Sequence, residues 1–317
     1  MMKKFIKKII YYSLASFLVL SVLTLAVDKG LRKTNDDLYG DWNRLFTNNI
    51  NDDIIIVGNS RAKVHFDPSI IEDITGYSSY NLGKDATNLF LQQPIINSIL
   101  ANAKPKYIVL SLDIGSFQKK SEIFEKEQYL PYLNKPYIFP ILSQVDSKVS
   151  IERLFPLVKY RGQYKIVKTG LKSNLYPANT YTLQKGYFNW ERSWNSDFDN
   201  FKKTMGENQI VLSTSEIDEG LTLLNDIIIK CRKRGVEVIL CQTPRYKELY
   251  SYFPQKQLVD LKIENLAKES DVMYFDFSYL SIYDNKEMFY NASHLNSKGA
   301  TILSHEFSIL INENINN

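Results

Sequence analysis

Two short blocks of the sequence hold the residue types that acyl transfer needs. Gly58-Asn59-Ser60-Arg61 follows the apolar run Ile54-Ile55-Ile56-Val57, and Asn291-Ala292-Ser293-His294-Leu295-Asn296 precedes a late amphipathic stretch. A serine hydroxyl attacks a carbonyl readily only when a base takes its proton, and imidazole is the commonest base for the task. Ser60 is therefore the candidate nucleophile and His294 its candidate base. A serine set between a strand and a helix faces the crevice at the strand ends. Backbone N–H groups at that helix start, Ser60's own included, are candidate donors to an oxyanion. Asn81-Leu82-Gly83 ends a second strand, and a glycine there lets the backbone approach a ligand and offer its N–H. Gly83 is thus a second candidate oxyanion donor. Arg61 either steadies an anionic group of the substrate or braces the loop. Gln242-Thr243-Pro244-Arg245 follows a later strand, so Gln242 and Arg245 either line the crevice or belong to a surface loop. His65 and His305 read as structural. Tyr187, Phe188, Trp190 and Trp194 are either a sugar-stacking platform or the core of an insertion.

The elements that must position these residues can be read from periodicity. Strands are expected at Ile54–Val57, Ser78–Leu82, Tyr107–Leu112, Val236–Cys241 and Val272–Phe275. Helices are expected over Asn88–Ala103, from a Ser213/Glu216 capping box to Lys233, over Gln257–Lys268 and over Asn296–Asn312. Short β-branched strands alternating with helices predict an α/β fold with a doubly wound, flavodoxin-like, five-stranded parallel sheet, whose ligands gather at the carboxyl ends of the strands. Residues 118–212 break the alternation. They carry Pro131, Pro136, Pro140, Pro156 and Pro177 among many aromatics, and read as a long, mostly helical insertion that covers or shapes the site.

The three blocks together resemble the SGNH (GDSL-like) hydrolase superfamily, which has a G-D-S block after the first strand, a Gly after the second, an Asn after the third and D-x-x-H before the last helix. The chain is most similar to the membrane-anchored, extracytoplasmic members tied to O-acylation of cell-surface polymers, such as the alginate O-acetylation proteins and the D-alanyl transfer protein of teichoic acid modification. The pattern shared with them is an anchor, a G-x-S-R block, a long middle insertion and a terminal H-L-N-x-x-G, here His294-Leu295-Asn296-Ser297-Lys298-Gly299. The resemblance covers roughly residues 53–117 and 210–312. It implies a serine esterase or acyltransferase that works through a covalent acyl-enzyme on a surface glycan or polymer, beside a membrane-bound acyl donor protein. The chain departs from the pattern at three places. Asn59 replaces the Asp of G-D-S. Asp113 falls near the oxyanion Asn, and an ionised Asp cannot donate. Asn291 stands where the family has the Asp that orients the His; its amide oxygen can hold the imidazole as a member of the catalytic set but brings no charge, so Asp276 or Asp284 would have to supply a carboxylate. Without one, the chain would be a weak or inactive SGNH-fold protein that binds glycan or scaffolds a modification complex.

Composition bounds the rest. Residues 9–27 are 19 residues without a charge, about 28 Å as a helix, which matches a bilayer core. Lys3, Lys4, Lys7 and Lys8 precede them. The positive-inside rule then leaves residues 1–8 as a cytoplasmic tail, makes 9–27 an uncleaved transmembrane anchor and 28–52 a stalk with a short helix around Leu38–Leu45, and exports 53–317 as the catalytic domain. A cleaved signal peptide is the rival reading, but Leu25-Ala26-Val27 is a poor cleavage site. Beyond the anchor, 35 basic residues face 35 acidic ones, so no basic field for nucleic acid remains. No spacing suggests a metal site. The first strand-to-helix turn lacks the glycines of a phosphate cradle, so no cofactor is expected. Cys231 and Cys241 read as buried apolar residues rather than a disulfide pair.

Overall fold

The structure is a computed structural model, and it describes residues 2–315. In chain order the elements are α1 (Met2–Leu31), α2 (Gly40–Phe46), β1 (Ile54–Val57), α3 (Ser60–His65), α4 (Pro68–Thr75), β2 (Ser79–Asn81), α5 (Leu89–Asn102), β3 (Tyr107–Leu112), α6 (Phe139–Val145), α7 (Lys148–Leu154), α8 (Tyr164–Ser173), α9 (Asp197–Met205), α10 (Thr214–Arg232), β4 (Glu237–Gln242), α11 (Lys256–Glu269), β5 (Met273–Asp276), β6 (Phe289–Asn291), β7 (His294–Leu295) and α12 (Ser297–Ile315). Two compact units result. One holds the chain up to Thr47 together with Ser121–Thr182; the other holds Asn48–Lys120 and the chain from Leu183 onward.

The second unit is an α/β layer structure. Its five strands are all parallel, in the order β2-β1-β3-β4-β5, the flavodoxin-like order of a doubly wound sheet. The reason lies in the strand sequences. Ile54-Ile55-Ile56-Val57 is buried along its whole length, as a strand covered by helices on both faces must be. Ile55 aligns with Tyr80 on one side and Ile108 on the other. Helices α3, α4 and α12 pack together, as do α5, α10 and α11. The Ser213/Glu216 capping box forms: the Glu216 N–H donates to Ser213 Oγ and the Ser213 N–H to the Glu216 carboxylate. Cys231 and Cys241 are buried free thiols. The antiparallel pair β6–β7 stands apart from the main sheet.

In the first unit, α1 is long and apolar enough to cross a membrane. Its far end is buried: Asp28 accepts from Lys159 Nζ at 2.7 Å and from the Tyr160 hydroxyl at 2.5 Å. Residues 34–46 pack in the same unit. Trp42 is buried with its ring 5.4 Å from that of Tyr129 and 6.0 Å from that of Tyr132. The expected insertion is divided between the units, 121–182 in the first and 183–212 in the second.

Candidate active site

Ser60 begins α3 directly after β1. Asn59 caps that helix, its side-chain oxygen accepting from the Arg61 N–H at 2.9 Å. The hydroxyl thereby faces outward at the carboxyl edge of the sheet. Far along the chain, β6 and β7 form a tight hairpin in which Asn291 pairs with His294. This brings His294 Nε2 to 2.8 Å from Ser60 Oγ.

The state of the imidazole follows from its other nitrogen. Asn291 Oδ1 accepts from the backbone N–H groups of Ser293 and His294, each at 3.0 Å. Backbone N–H groups only donate, so the oxygen of the Asn291 amide must be the atom that faces the hairpin. The same oxygen lies 3.0 Å from His294 Nδ1, which makes Nδ1 the protonated nitrogen and leaves Nε2 free to accept the Ser60 proton. Burial, followed by the positive charges of Arg61 and Arg245, pushes the His294 pKa down to about 4. The ring is therefore neutral at physiological pH.

With its oxygen turned inward, the Asn291 amide turns its nitrogen outward, where it donates to Asp197 Oδ2 at 3.3 Å. Asp197 opens α9 and is exposed. It is a carboxylate set behind the Asn291 amide, and no motif pointed to it because it lies in the insertion, outside the motif blocks. The two carboxylates expected in that role are elsewhere. Asp276 accepts from the Ser278 N–H at 2.8 Å, and Asp284 lies 3.9 Å from Lys247.

Behind the serine lies a buried ionic cluster. Asp113 Oδ2 receives Arg61 Nη1 at 2.8 Å, Arg245 Nη2 at 3.1 Å and Asn59 Nδ2 at 3.1 Å. Burial by itself would raise the Asp113 pKa, but the Arg245 and Arg61 guanidiniums and the Asn59 amide outweigh it and hold the carboxyl well below the usual carboxylate range. Asp113 is thus an ionised acceptor and cannot serve as an oxyanion donor. Arg61 Nη2 also donates to the carbonyl oxygen of Thr243 and, at 2.7 Å, to its hydroxyl. His65 Nδ1 meets that hydroxyl at 2.9 Å, and His65 Nε2 accepts from the Leu295 N–H at 2.9 Å. The chain Asp113–Arg61–Thr243–His65–Leu295 therefore ties the serine turn to the histidine hairpin. His65 is structural, as expected; its burial and the nearby Arg61 charge keep it neutral by lowering its pKa well below the ordinary value.

Three expected substrate contacts are corrected by this arrangement. Arg61 and Arg245 are buried in the ion cluster rather than presented to a ligand. Gln242 is buried too, donating to Asp260 at 2.9 Å and to the Tyr274 hydroxyl at 2.8 Å. Gly83 is needed for another reason than the expected one. Its N–H donates to Asn81 Oδ1 at 2.9 Å, and a Cβ on it would lie 2.4 Å from the Lys63 nitrogen. The glycine lets β2 approach α3, and its N–H is already engaged. Of the expected oxyanion donors only the Ser60 N–H remains, at the first helical position, where no backbone carbonyl answers it.

The four aromatics of the insertion separate into two kinds. Tyr187 is buried, and Trp194 packs on Tyr246 and Phe198. Trp190 stands edge-on to the His294 ring at 5.3 Å, flanked by Tyr290 at 4.5 Å and Phe188 at 5.8 Å. Lys63, paired with Asp85 at 2.8 Å, lies beside Phe188.

No protein-family model matches the chain, and no curated protein matches it. Solved structures similar to it include a protein described as an acylhydrolase from Bacteroides fragilis, with a TM-score of 0.44 and 10% identity over 86% of this chain and 96% of that one. An acetyl xylan esterase matches with a TM-score of 0.43 and 12% identity over 81% of this chain and 99% of its own. An acetyl xylan esterase of the rumen bacterium Butyrivibrio proteoclasticus matches with a TM-score of 0.39 and 8% identity over 83% of this chain and 64% of its own.

Proposed function

We propose that this protein is a serine acyl-ester hydrolase or O-acyltransferase that acts outside the cytoplasm on a surface glycan or polymer. The observation that carries the reading is the 2.8 Å approach of Ser60 Oγ to a His294 Nε2 whose partner nitrogen is held by Asn291. His294 takes the Ser60 proton as Oγ attacks the ester carbonyl, and the Ser60 N–H donates to the oxyanion. The alcohol leaves with the proton from His294, giving an acyl-enzyme. Water or a sugar hydroxyl then takes the acyl group by the reverse route. The half-buried Trp190, Tyr290 and Phe188 form an aromatic wall beside the base, which favours a ring-shaped acceptor such as a sugar. The α1 helix serves as the anchor that keeps the site near the membrane and within reach of a membrane-bound acyl donor protein.

The test is hydrolysis of p-nitrophenyl acetate by the full chain, with covalent labelling by a fluorophosphonate. Ser60→Ala should abolish both, and His294→Ala should reduce hydrolysis by roughly 10³-fold or more. Hydrolysis by Ser60→Ala at the wild-type rate removes the enzymatic reading. A second reading, a slow or inactive glycan binder, is favoured by one observation: the neutral Asn291 gives the imidazolium no adjacent charge.

A further inference from the structure

The surface of the first unit around the end of α1 is unlike the rest of the protein. Residues 2–20 of α1 are exposed, whereas Val27, Asp28, Gly30 and Leu31 are buried. The protein packs on the helix before its apolar run ends. The Leu157 N–H donates to Thr24 Oγ1 at 2.8 Å, and Asn174 Nδ2 donates to the Ala26 carbonyl at 2.8 Å. Gly30 and α8 touch so closely that a Cβ on Gly30 would lie 1.6 Å from the Gly170 oxygen. Residues 21–27 are the last third of the apolar run, about 10 Å of helix. The segments packed beside them must therefore share their depth.

Those segments expose apolar side chains. Leu154 is 70% exposed, Phe155 53%, Leu175 79% and Tyr176 70%. Among the described residues, nine large hydrophobics of the first unit outside α1 are exposed, against six in the larger second unit. The same stretch is basic. Residues 148–176 contain seven Lys or Arg and a single acid, Glu152, and Glu152 is paired with Lys126. Lys165, Lys168 and Lys172 recur at helical spacing along α8 and are all exposed. Exposed apolar groups rimmed by cations mark a surface that lies in the headgroup layer of an anionic bilayer.

We propose that residues 151–176 form a collar around the exit of α1 and seat in the headgroup layer of an anionic phospholipid membrane. The leucine and aromatic side chains enter the boundary with the acyl chains, and the lysines meet lipid phosphates. The proposal rests on the reading of α1 as an anchor, and its test separates the two. The full chain is reconstituted into vesicles of phosphatidylcholine with and without phosphatidylglycerol, and single environment-sensitive labels are placed through Leu154→Cys, Leu175→Cys, Val19→Cys and Leu258→Cys. The native Cys231 and Cys241 are buried. The labels at 154 and 175 should be quenched by lipids carrying a nitroxide near the headgroup, and should be several-fold less open to iodide than the label at 258. Replacing Lys165, Lys168 and Lys172 by Gln should weaken the headgroup quenching where phosphatidylglycerol is present. Labels at 154 and 175 as open to iodide as that at 258, with the label at 19 still quenched by lipid, overturn the collar and leave the anchor standing. A label at 19 open to iodide overturns both. Equal quenching with and without phosphatidylglycerol overturns the anionic preference. None of these variants touches Ser60 or His294, so the enzymatic reading stands or falls separately.

Discussion

A single oxygen organises the base. Asn291 Oδ1 takes three donors from its own hairpin, so the neutral residue fixes the tautomer and direction of His294 as an aspartate would. On the proposed mechanism it would supply no charge for the imidazolium formed as Ser60 attacks. In serine proteases the corresponding Asp→Asn change costs about 10⁴ in kcat. Asn291→Asp is therefore expected to raise kcat/KM by at least about 10-fold and to move the acid limb of the pH profile upward. The new carboxylate would face Asp197, so the double change with Asp197→Asn should gain more; unchanged rates in both variants would show that the charge at this position is irrelevant. Asp197→Ala in the wild-type background should lower kcat severalfold with little effect on KM, because the carboxylate accepts from the Asn291 and Asn195 amides and reaches the base only through Asn291. The pH profile itself is a further check. The base works when neutral, and its pKa is lowered to about 4. Activity on p-nitrophenyl acetate should then persist well below pH 6.5 and fall only toward about pH 4; an acid limb near 6.5 would contradict the buried, Arg-flanked site.

At the scale of elements, the site is held by the ends of strands rather than by loops of its own. Asp113 follows β3, Thr243 follows β4, Arg61 lies in α3 behind β1, and the His65–Leu295 bond fastens the β6–β7 hairpin. Truncating one partner of a buried ion cluster leaves the others unpaired, which costs about 3–5 kcal/mol. Asp113→Ala is expected to destabilise the protein by that amount in urea unfolding, and to reduce activity as the serine turn loosens. Loss of less than about 1 kcal/mol would mean that the cluster is not a strut. The motif residues were readable because strand ends and helix starts have local signatures: a β-branched run, an Asn cap, a glycine. The ion cluster was not, since Arg61, Asp113 and Arg245 are far apart in sequence and each is an ordinary polar residue until the parallel register aligns them.

At the scale of the whole molecule, the imidazoles of the buried His65 and the half-buried His294 make stability depend on pH. Above about 6.5 both the folded and the unfolded chain hold them neutral, so nothing is lost. Below it the unfolded chain binds protons that His65 and His294, with their lowered pKa values, refuse. Stability therefore falls as pH drops from about 6.5 toward 4. The urea midpoint should fall between pH 7 and 5, and a constant midpoint would show that the imidazoles are not held neutral by the fold. The division of the chain into two units was invisible beforehand. Residues 28–47 look like a polar connector, yet Asp28 and Trp42 are buried among partners more than eighty residues away.

What the sequence determined alone is the repeating part. Buried β-branched strands alternating with capped helices dictate a parallel doubly wound sheet, and a charge-free run of 19 residues dictates a helix that can span a bilayer, because both follow from local periodicity. The serine and histidine blocks were also visible, since each sits at an element boundary. Only the tertiary structure decided which polar groups are spent and which are free. It turned Arg61, Arg245 and Asp113 into a buried brace, engaged the Gly83 N–H, and set Asp197 behind Asn291. These outcomes depend on hydrogen bonds between residues distant in sequence, and a one-dimensional pattern carries no record of which donor meets which acceptor.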